Sequence, residues 1–334
     1  MPYGNTRCSA ALAVFVSLVS ACGSQRALAD EGGVSFWAPG IYGSLAAVPS
    51  HPGWQFTTSY YHVSVDADGS KTFRRGGGFQ AGLSARADLV FLTSNYVFAT
   101  PVFGAQAALG VAVAYGRMNA NVNATLTGPL GNTISGARGD TLFGFSDLYP
   151  QGSLKWNHGV HNIMLYTMWG LPVGVYDPNR LANIGIGHWS MDYGGGYTYL
   201  NPSKGHEFSV VTGFTYNFKN PYTDYQNGID WHVDWGLSQF ISKQVHIGLV
   251  GYFYQQITGD SGTGATLGDY KSRVAGIGPQ IGFMFPAGDM QGYINLKGYK
   301  EFAAENRPQG WNLWLTLAIS PAAKESSITP PRRR

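Results

Sequence analysis

The chain has 334 residues, of which 12% are charged and 14% aromatic, with 46 glycines and a formal net charge of +3. Ordinary globular domains carry about 25% charged residues, so half the usual surface charge is missing, and the small positive excess gives no grip on a nucleic acid. After residue 29 no apolar run approaches the ~18 residues of a spanning helix, so if the protein enters a bilayer it does so with strands.

Residues 1–29 read as a secretory leader. Arg7 supplies a positive start, Ser9 to Ala21 an apolar stretch too short to span, and Ala27-Leu28-Ala29 a small-x-small cleavage site. Val19-Ser20-Ala21-Cys22 competes as a lipoprotein box that would leave Cys22 lipidated. Cleavage after Ala29 is favoured because Arg26 and the A-L-A triplet have no role in the lipidated version; either way the protein is exported. Both cysteines, Cys8 and Cys22, fall in the leader, and a mature chain without disulfides suits a fold held by a closed hydrogen-bonded ladder.

Residues 30–52 hold too many glycines and prolines for a helix or strand, yet carry Phe36, Trp37, Ile41 and Tyr42. An irregular segment with that apolar content packs against something. It either enters a barrel lumen as a plug or leans on the lower rim as a periplasmic extension. Phe36, Trp37 and Tyr42 would form the contact surface of a plug.

Residues 53–320 contain about twelve strand-like runs, near 53–66, 76–98, 103–122, 143–157, 160–174, 188–200, 206–219, 227–240, 244–257, 271–286, 290–303 and 310–320. Short links alternate with longer polar ones such as 66–75, 125–141, 175–187, 219–226, 257–269 and 304–309, the pattern of an up-and-down barrel with short periplasmic turns. The clearest strand is I-D-W-H-V-D-W-G-L-S-Q-F, residues 229–240. Its even positions, Asp230, His232, Asp234, Gly236 and Ser238, are polar or small, whereas Ile229, Trp231, Val233, Trp235 and Leu237 are apolar. Only a period-two strand sorts them onto two faces. Each charge placed on the lipid side would cost up to about 2–4 kcal/mol, so the polar row faces inward. The tail, 321–334, is polar and proline-rich and is expected to be disordered.

Asp230, His232 and Asp234, with Glu207, Asp192, Lys155 and Lys297, are the candidate lumen-constriction or solute-binding residues. Two alternatives stand beside this. The carboxylates could be a charge ladder neutralised by Lys297 or Lys155. A metal site is disfavoured, because side chains on one strand face are roughly 7 Å apart. His188, Ser190 and Asp192 share a face and invite comparison with a Ser-His-acid hydrolase, although residue types alone do not establish that geometry. Gly194-Gly195-Gly196 lacks the strand-loop-helix setting of a phosphate loop.

Several segments carry a resemblance: S-F-W-A-P-G-I-Y-G-S-L-A-A (35–47), D-L-Y-P-Q-G-S-L-K-W-N (147–157), L-P-V-G-V-Y-D-P-N-R-L-A-N-I-G-I-G-H-W (171–189), Y-Q-N-G-I-D-W-H-V-D-W (225–235), K-S-R-V-A-G-I-G-P-Q (271–280) and Y-I-N-L-K-G-Y-K-E-F (293–302). Together they resemble the exported proteins named for the meta-cleavage pathway of phenol degradation. The resemblance implies an outer-membrane barrel that passes aromatic or other hydrophobic compounds, and it carries over no binding residues.

The expectation is therefore an all-β protein, a transmembrane antiparallel up-and-down β-barrel of about 12 strands in the bacterial outer membrane. It would act as a passive channel for a small hydrophobic or aromatic solute, with outer-membrane lipid as surroundings and no nucleic acid, cofactor, metal or enzymatic role. A barrel hydrolase and a purely structural surface protein are the alternatives. The ligand, the direction of transport and the oligomeric state stay open.

Overall fold

The computed structural model describes residues 35–72, 78–266 and 268–322; residues 1–29, expected to be a leader, and most of 321–334, expected to be disordered, lie outside them. Twelve antiparallel strands close on themselves, each pairing with its sequence neighbours and β1 with β12. They are β1 Gly53–Thr72, β2 Gly78–Val97, β3 Gln106–Thr127, β4 Thr133–His158, β5 His161–Gly170, β6 Ser190–Asn201, β7 His206–Asn217, β8 Asp230–Phe240, β9 Val245–Gln256, β10 Arg273–Ala287, β11 Met290–Glu305 and β12 Gln309–Pro321. Closure removes the two sheet edges, so every strand has a partner on both sides.

The alternation read from the sequence is the alternation of the wall. Asp230, His232 and Asp234 are buried, while Leu237 on the opposite row is 47% exposed. Around the outside Trp54, Phe56, Leu109, Phe143, Leu165, Ile281 and Trp311 are likewise exposed, a row of large apolar groups that water would penalise and lipid would not.

The wall is uneven in height. Strands β5 to β9 have 10 to 12 residues, the length that crosses a bilayer, whereas β1 to β4 have 20 to 26. Here the structure corrects the expected links. Residues 125–141 are mostly strand: β3 and β4 stay paired from Thr127↔Thr133 downward, and only 128–132 turn. Their polarity suggested a loop, but above the membrane both faces of a strand can be polar, and backbone pairing is indifferent to that. The long connections are 171–189, 218–229 and 257–272.

The register of β3 and β4 shifts between Val113 and Tyr115. At this bulge Ser146 and Asp147 are both buried, as an extra residue in one strand re-aims its side chains. Ser146 Oγ accepts from the Ala114 amide (2.8 Å). Asp147 accepts from the amides of Gly174 (2.8 Å) and Ile186 (2.9 Å), which folds the 171–189 connection back onto β4. The same connection is fastened higher up by a forked Arg180–Asp140 pair (2.6 and 3.1 Å) and by an apolar cluster of Ala120, Leu142, Ala182 and Ile184. Asp260 ties the other two connections together, accepting from Tyr225 Oη (2.5 Å), Gln256 Nε2 (2.6 Å) and the Gly228 amide (3.2 Å); burial nevertheless lifts its carboxyl above the ordinary carboxylate range.

Candidate functional site

Residues 35–50 run inside the barrel, and the inward polar row meets them there. From the end nearest β1 the contacts climb the wall in order. The Ser50 amide donates to Gln106 Oε1 (2.7 Å), the Ala47 amide to Thr198 Oγ1 (3.0 Å) and the Leu45 amide to Glu207 Oε1 (2.9 Å). Ser44 Oγ lies 2.7 Å from Ser238 Oγ. Asp234, 1% exposed, accepts from the Gly40 and Tyr42 amides at 3.0 Å each. Lys297 Nζ donates to the carbonyls of the same stretch, Gly40 (2.7 Å), Ile41 (3.2 Å) and Tyr42 (3.2 Å), and Lys155 Nζ to those of Ala46 (2.8 Å) and Val48 (3.2 Å). At the top Trp37 stacks on His232, ring centroids 3.6 Å apart and planes 13° from parallel.

An irregular backbone cannot satisfy its own amides and carbonyls, and in a water-poor lumen the wall must do so. Carboxylates serve the amides and ammonium groups the carbonyls. Two glycines set how closely the segment approaches. A Cβ at Gly236 would stand 2.8 Å from the Ser44 amide, so the strand's inward row has a gap where the segment crosses. Gly40 has φ +84° with the Tyr299 ring 2.9 Å from where its Cβ would be.

Of the candidate residues, Asp234, Glu207, Lys155 and Lys297 therefore bond the luminal segment. Asp192 Oδ2 meets His232 Nε2 (2.9 Å) and Thr215 Oγ1 (2.5 Å), and Asp230 Oδ2 accepts from Asn217 Nδ2 (2.9 Å). The lysines do not meet the carboxylate ladder by direct contact: among the described residues neither Lys155 nor Lys297 forms an ion pair within 4.0 Å, although the Asp234 charge acts on Lys297. Ser190 Oγ lies 3.3 Å from His188 Nδ1, but it also donates to Asn217 Oδ1 (3.1 Å), and Asp192 gives its bonds to His232 and Thr215. The bonded oxygen of the suspected acid, Asp192 Oδ2, thus serves His232 and Thr215.

The luminal segment touches β3 and β4 at Gln106 and Lys155 and otherwise lies along β5 to β11. Beside and above it lies a cavity of about 2170 Å³. Phe36, Trp37 and Tyr42 form its floor, the 171–189 connection part of its roof, and Val63, Leu83, Ala87, Leu89, Phe91 and Met118 much of its wall. None of Asp192, Glu207, Asp230, His232, Asp234, Lys155 or Lys297 borders it. The sequence reading looked for function in charged inward rows and so missed this wall. Its signal was present: on β2 the inward Ala87, Leu89 and Phe91 alternate with outward Val90 and Leu92, apolar on both faces, where a water-filled lumen would need polar residues on one.

Against known proteins, residues 69–317 match the family described as "Putative MetA-pathway of phenol degradation". Among solved structures, the barrel is similar to an outer membrane channel from Pseudomonas putida F1, at 15% identity and a TM-score of 0.62, over 85% of this chain and 99% of that one. A FadL homologue of Pseudomonas aeruginosa aligns at 7% identity and a TM-score of 0.40, over 81% of this chain and 90% of that one. No curated protein matches. At such identities the likeness to the first structure shows a common fold.

Proposed function

Because the chain belongs to the MetA-pathway family of phenol degradation, we propose that it is an outer-membrane channel through which small hydrophobic, including aromatic, compounds diffuse passively. The observation that carries this is the apolar inner face of β1 to β4. Water-filled pores line their lumen with polar groups; here alanine, valine, leucine, phenylalanine and methionine make up much of the wall of a cavity of about 2170 Å³, with Gln80, Arg86, Asn123 and Arg138 among the polar remainder. Burying a ring the size of a phenylalanine side chain contributes about 1.5–3 kcal/mol, which concentrates such a solute tens- to a hundredfold over water. The cavity exceeds the ~300–1,000 Å³ of ordinary small-molecule pockets, so the fit is loose, as passage requires.

In this reading solute enters between the tall β1–β4 wall and the 171–189 connection and settles on Phe36, Trp37 and Tyr42. It continues toward the periplasm only when residues 35–50 yield. Asp234, Glu207, Lys155 and Lys297 act on that segment and so constrict the lumen indirectly. His232 and Asp192 support Trp37 from below. The scheme involves no bond-making step and no cofactor.

The test is growth of a strain lacking the gene on a panel of limiting aromatic carbon sources, with complementation. Slower growth on at least one, restored by the intact chain, supports the reading; unaltered growth on all of them counts against it.

A further inference from the structure

The outer face of the tall wall changes chemistry in three steps. Lowest are the apolar rows, where Val90 and Leu92 on β2, Val111 and Tyr115 on β3 and Phe145 on β4 are all exposed. The rows end where His62, Asp88, Arg117 and Phe143 stand opposite one another on β1 to β4. The next outward rung reads Lys300, Trp311, Ser64, Arg86, Asn119 and Thr141, across β11, β12 and β1 to β4. Highest is a polar ladder: Asn121 Nδ2 donates to Asn119 Oδ1 (2.7 Å), and Asn119 Nδ2 to Thr141 Oγ1 (2.7 Å).

The cations of the middle step, Arg86, Arg117 and Lys300, are all exposed. Arg86 also borders the cavity, but its side chain belongs to the row of Asp88 and Val90, on the other face from buried Ala87. Among the described residues none of the three forms an ion pair within 4.0 Å. The nearby acid, Asp88, is drawn toward β1, where its Oδ1 accepts from Tyr60 Oη (2.6 Å) and lies 2.7 Å from His62 Nδ1. The Arg117 charge reaches Asp88, but its guanidinium sits over the Phe143 ring at 5.5 Å. Strands β5 to β9 contain no lysine or arginine, so the exterior cations gather on the side that rises out of the bilayer. Arg86 and Arg117 are diagonal neighbours on adjacent strands, roughly 7–8 Å apart at the backbone, which leaves room for one phosphate to take a guanidinium from each.

We propose that this outer face binds a phosphorylated glycolipid of the surrounding leaflet. The proposal rests on the barrel lying in the outer membrane and on no reading of its solute. The order of chemistries up the wall is that lipid's own order of acyl chain, phosphate and sugar. Acyl chains lie along Val90, Leu92, Val111 and Tyr115, a phosphate sits between Arg86 and Arg117, and a second negative group reaches Lys300. Sugar hydroxyls meet Asn119, Asn121 and Thr141. A phospholipid matches the first two steps and has no sugar for the third.

Three probes separate the cases: lipid A with both phosphates, the same lipid A after enzymatic dephosphorylation, and phosphatidylglycerol. Each is titrated into the purified, delipidated full chain in detergent with a chelator present, and bound lipid is counted by native mass spectrometry. Heat-modifiable gel migration confirms that each variant is folded. Lipid A with both phosphates should bind about tenfold tighter than either other probe. A cation at an anionic lipid surface is worth about fivefold, so Arg86→Gln combined with Arg117→Gln should weaken it by roughly ten- to thirtyfold and leave the dephosphorylated form unchanged. Asn121→Ala should weaken both forms of lipid A by about threefold and spare phosphatidylglycerol. Equal affinity for the two forms of lipid A, or an arginine double variant that binds like the intact chain, would overturn the site. So would phosphatidylglycerol binding as tightly as lipid A, or losing as much as lipid A in Asn121→Ala. Each of these results leaves the channel reading untouched, because no solute enters the assay.

Discussion

Asp234→Ala should release the luminal segment. The carboxylate is 1% exposed and receives two backbone amides, Gly40 and Tyr42, at 3.0 Å each. Lys297 holds the three carbonyls of residues 40–42 from the other side. Removing the acid leaves two interior amides without an acceptor and a buried ammonium without its nearby counter-charge. Loss of one member of such an arrangement typically costs about 3–5 kcal/mol. At 1.4 kcal/mol per tenfold, the fraction of molecules with the segment undocked rises by roughly two to three and a half orders of magnitude. The wall keeps its own ladder bonds, so the barrel itself should remain folded. In planar bilayers the variant should show larger or more frequent openings than the intact chain. A chymotrypsin-type protease should cut after Trp37 or Tyr42, sites protected in the intact chain. Gly236→Val should give the same phenotype without touching a charge, because its side chain would occupy the space of the Ser44 backbone, 2.8 Å from where even a Cβ would sit. Native-like conductance together with native-like protection in Asp234→Ala would refute the reasoning.

Asp147→Ala should loosen the 171–189 connection: it removes two charge-assisted bonds, about 1.5–3 kcal/mol each, and amide exchange at Gly174 and Ile186 should accelerate at least tenfold while the strands stay protected. Unchanged exchange there would show that Arg180 and the Ala182–Ile184 cluster suffice. Leu89→Asp puts a charge on the apolar wall; vesicle uptake of toluene should fall and ionic conductance rise, and unaffected uptake would mean that solute travels by another path. In the 218–229 connection, hydrogen bonds from Lys219 and then Thr263 lower the Asp224 carboxyl to about 2. A carboxyl depressed in the folded state stabilises above its ordinary value near 3.9 and loses that contribution as pH falls through about 2. Exchange in 218–229 and 260–264, corrected for intrinsic rates, should therefore rise between pH 4 and pH 2, and Asp224→Asn should abolish the difference.

Much of the architecture was legible in the residues because pleating is local. A strand sends successive side chains to opposite faces wherever it sits, so I-D-W-H-V-D-W-G-L-S announced both its conformation and, from the cost of charge in lipid, which row faced inward. The count of twelve strands and the short turns at 241–244 and 288–289 followed from the same periodicity. The reading failed where polarity stopped being informative. Above the bilayer, β3 and β4 are wet on both faces, and residues 125–141 looked like a loop although they are mostly ladder. It also directed attention to charge, whereas the cavity is bordered by Ala87, Leu89, Phe91 and Met118, whose signal was a strand apolar on both faces rather than any charged residue.

What the sequence by itself determined is the orientation of each side chain relative to its own strand, because that depends on nothing but the backbone. What each inward group touches was decided only by closure of the barrel and by the path of residues 35–50 through it. Asp234 and the Gly40 amide are 194 positions apart, and Lys297 and the Gly40 carbonyl 257. No periodicity in the glycine- and proline-rich segment records those meetings, since a chain without repeating backbone geometry takes its course from the walls that satisfy its hydrogen bonds.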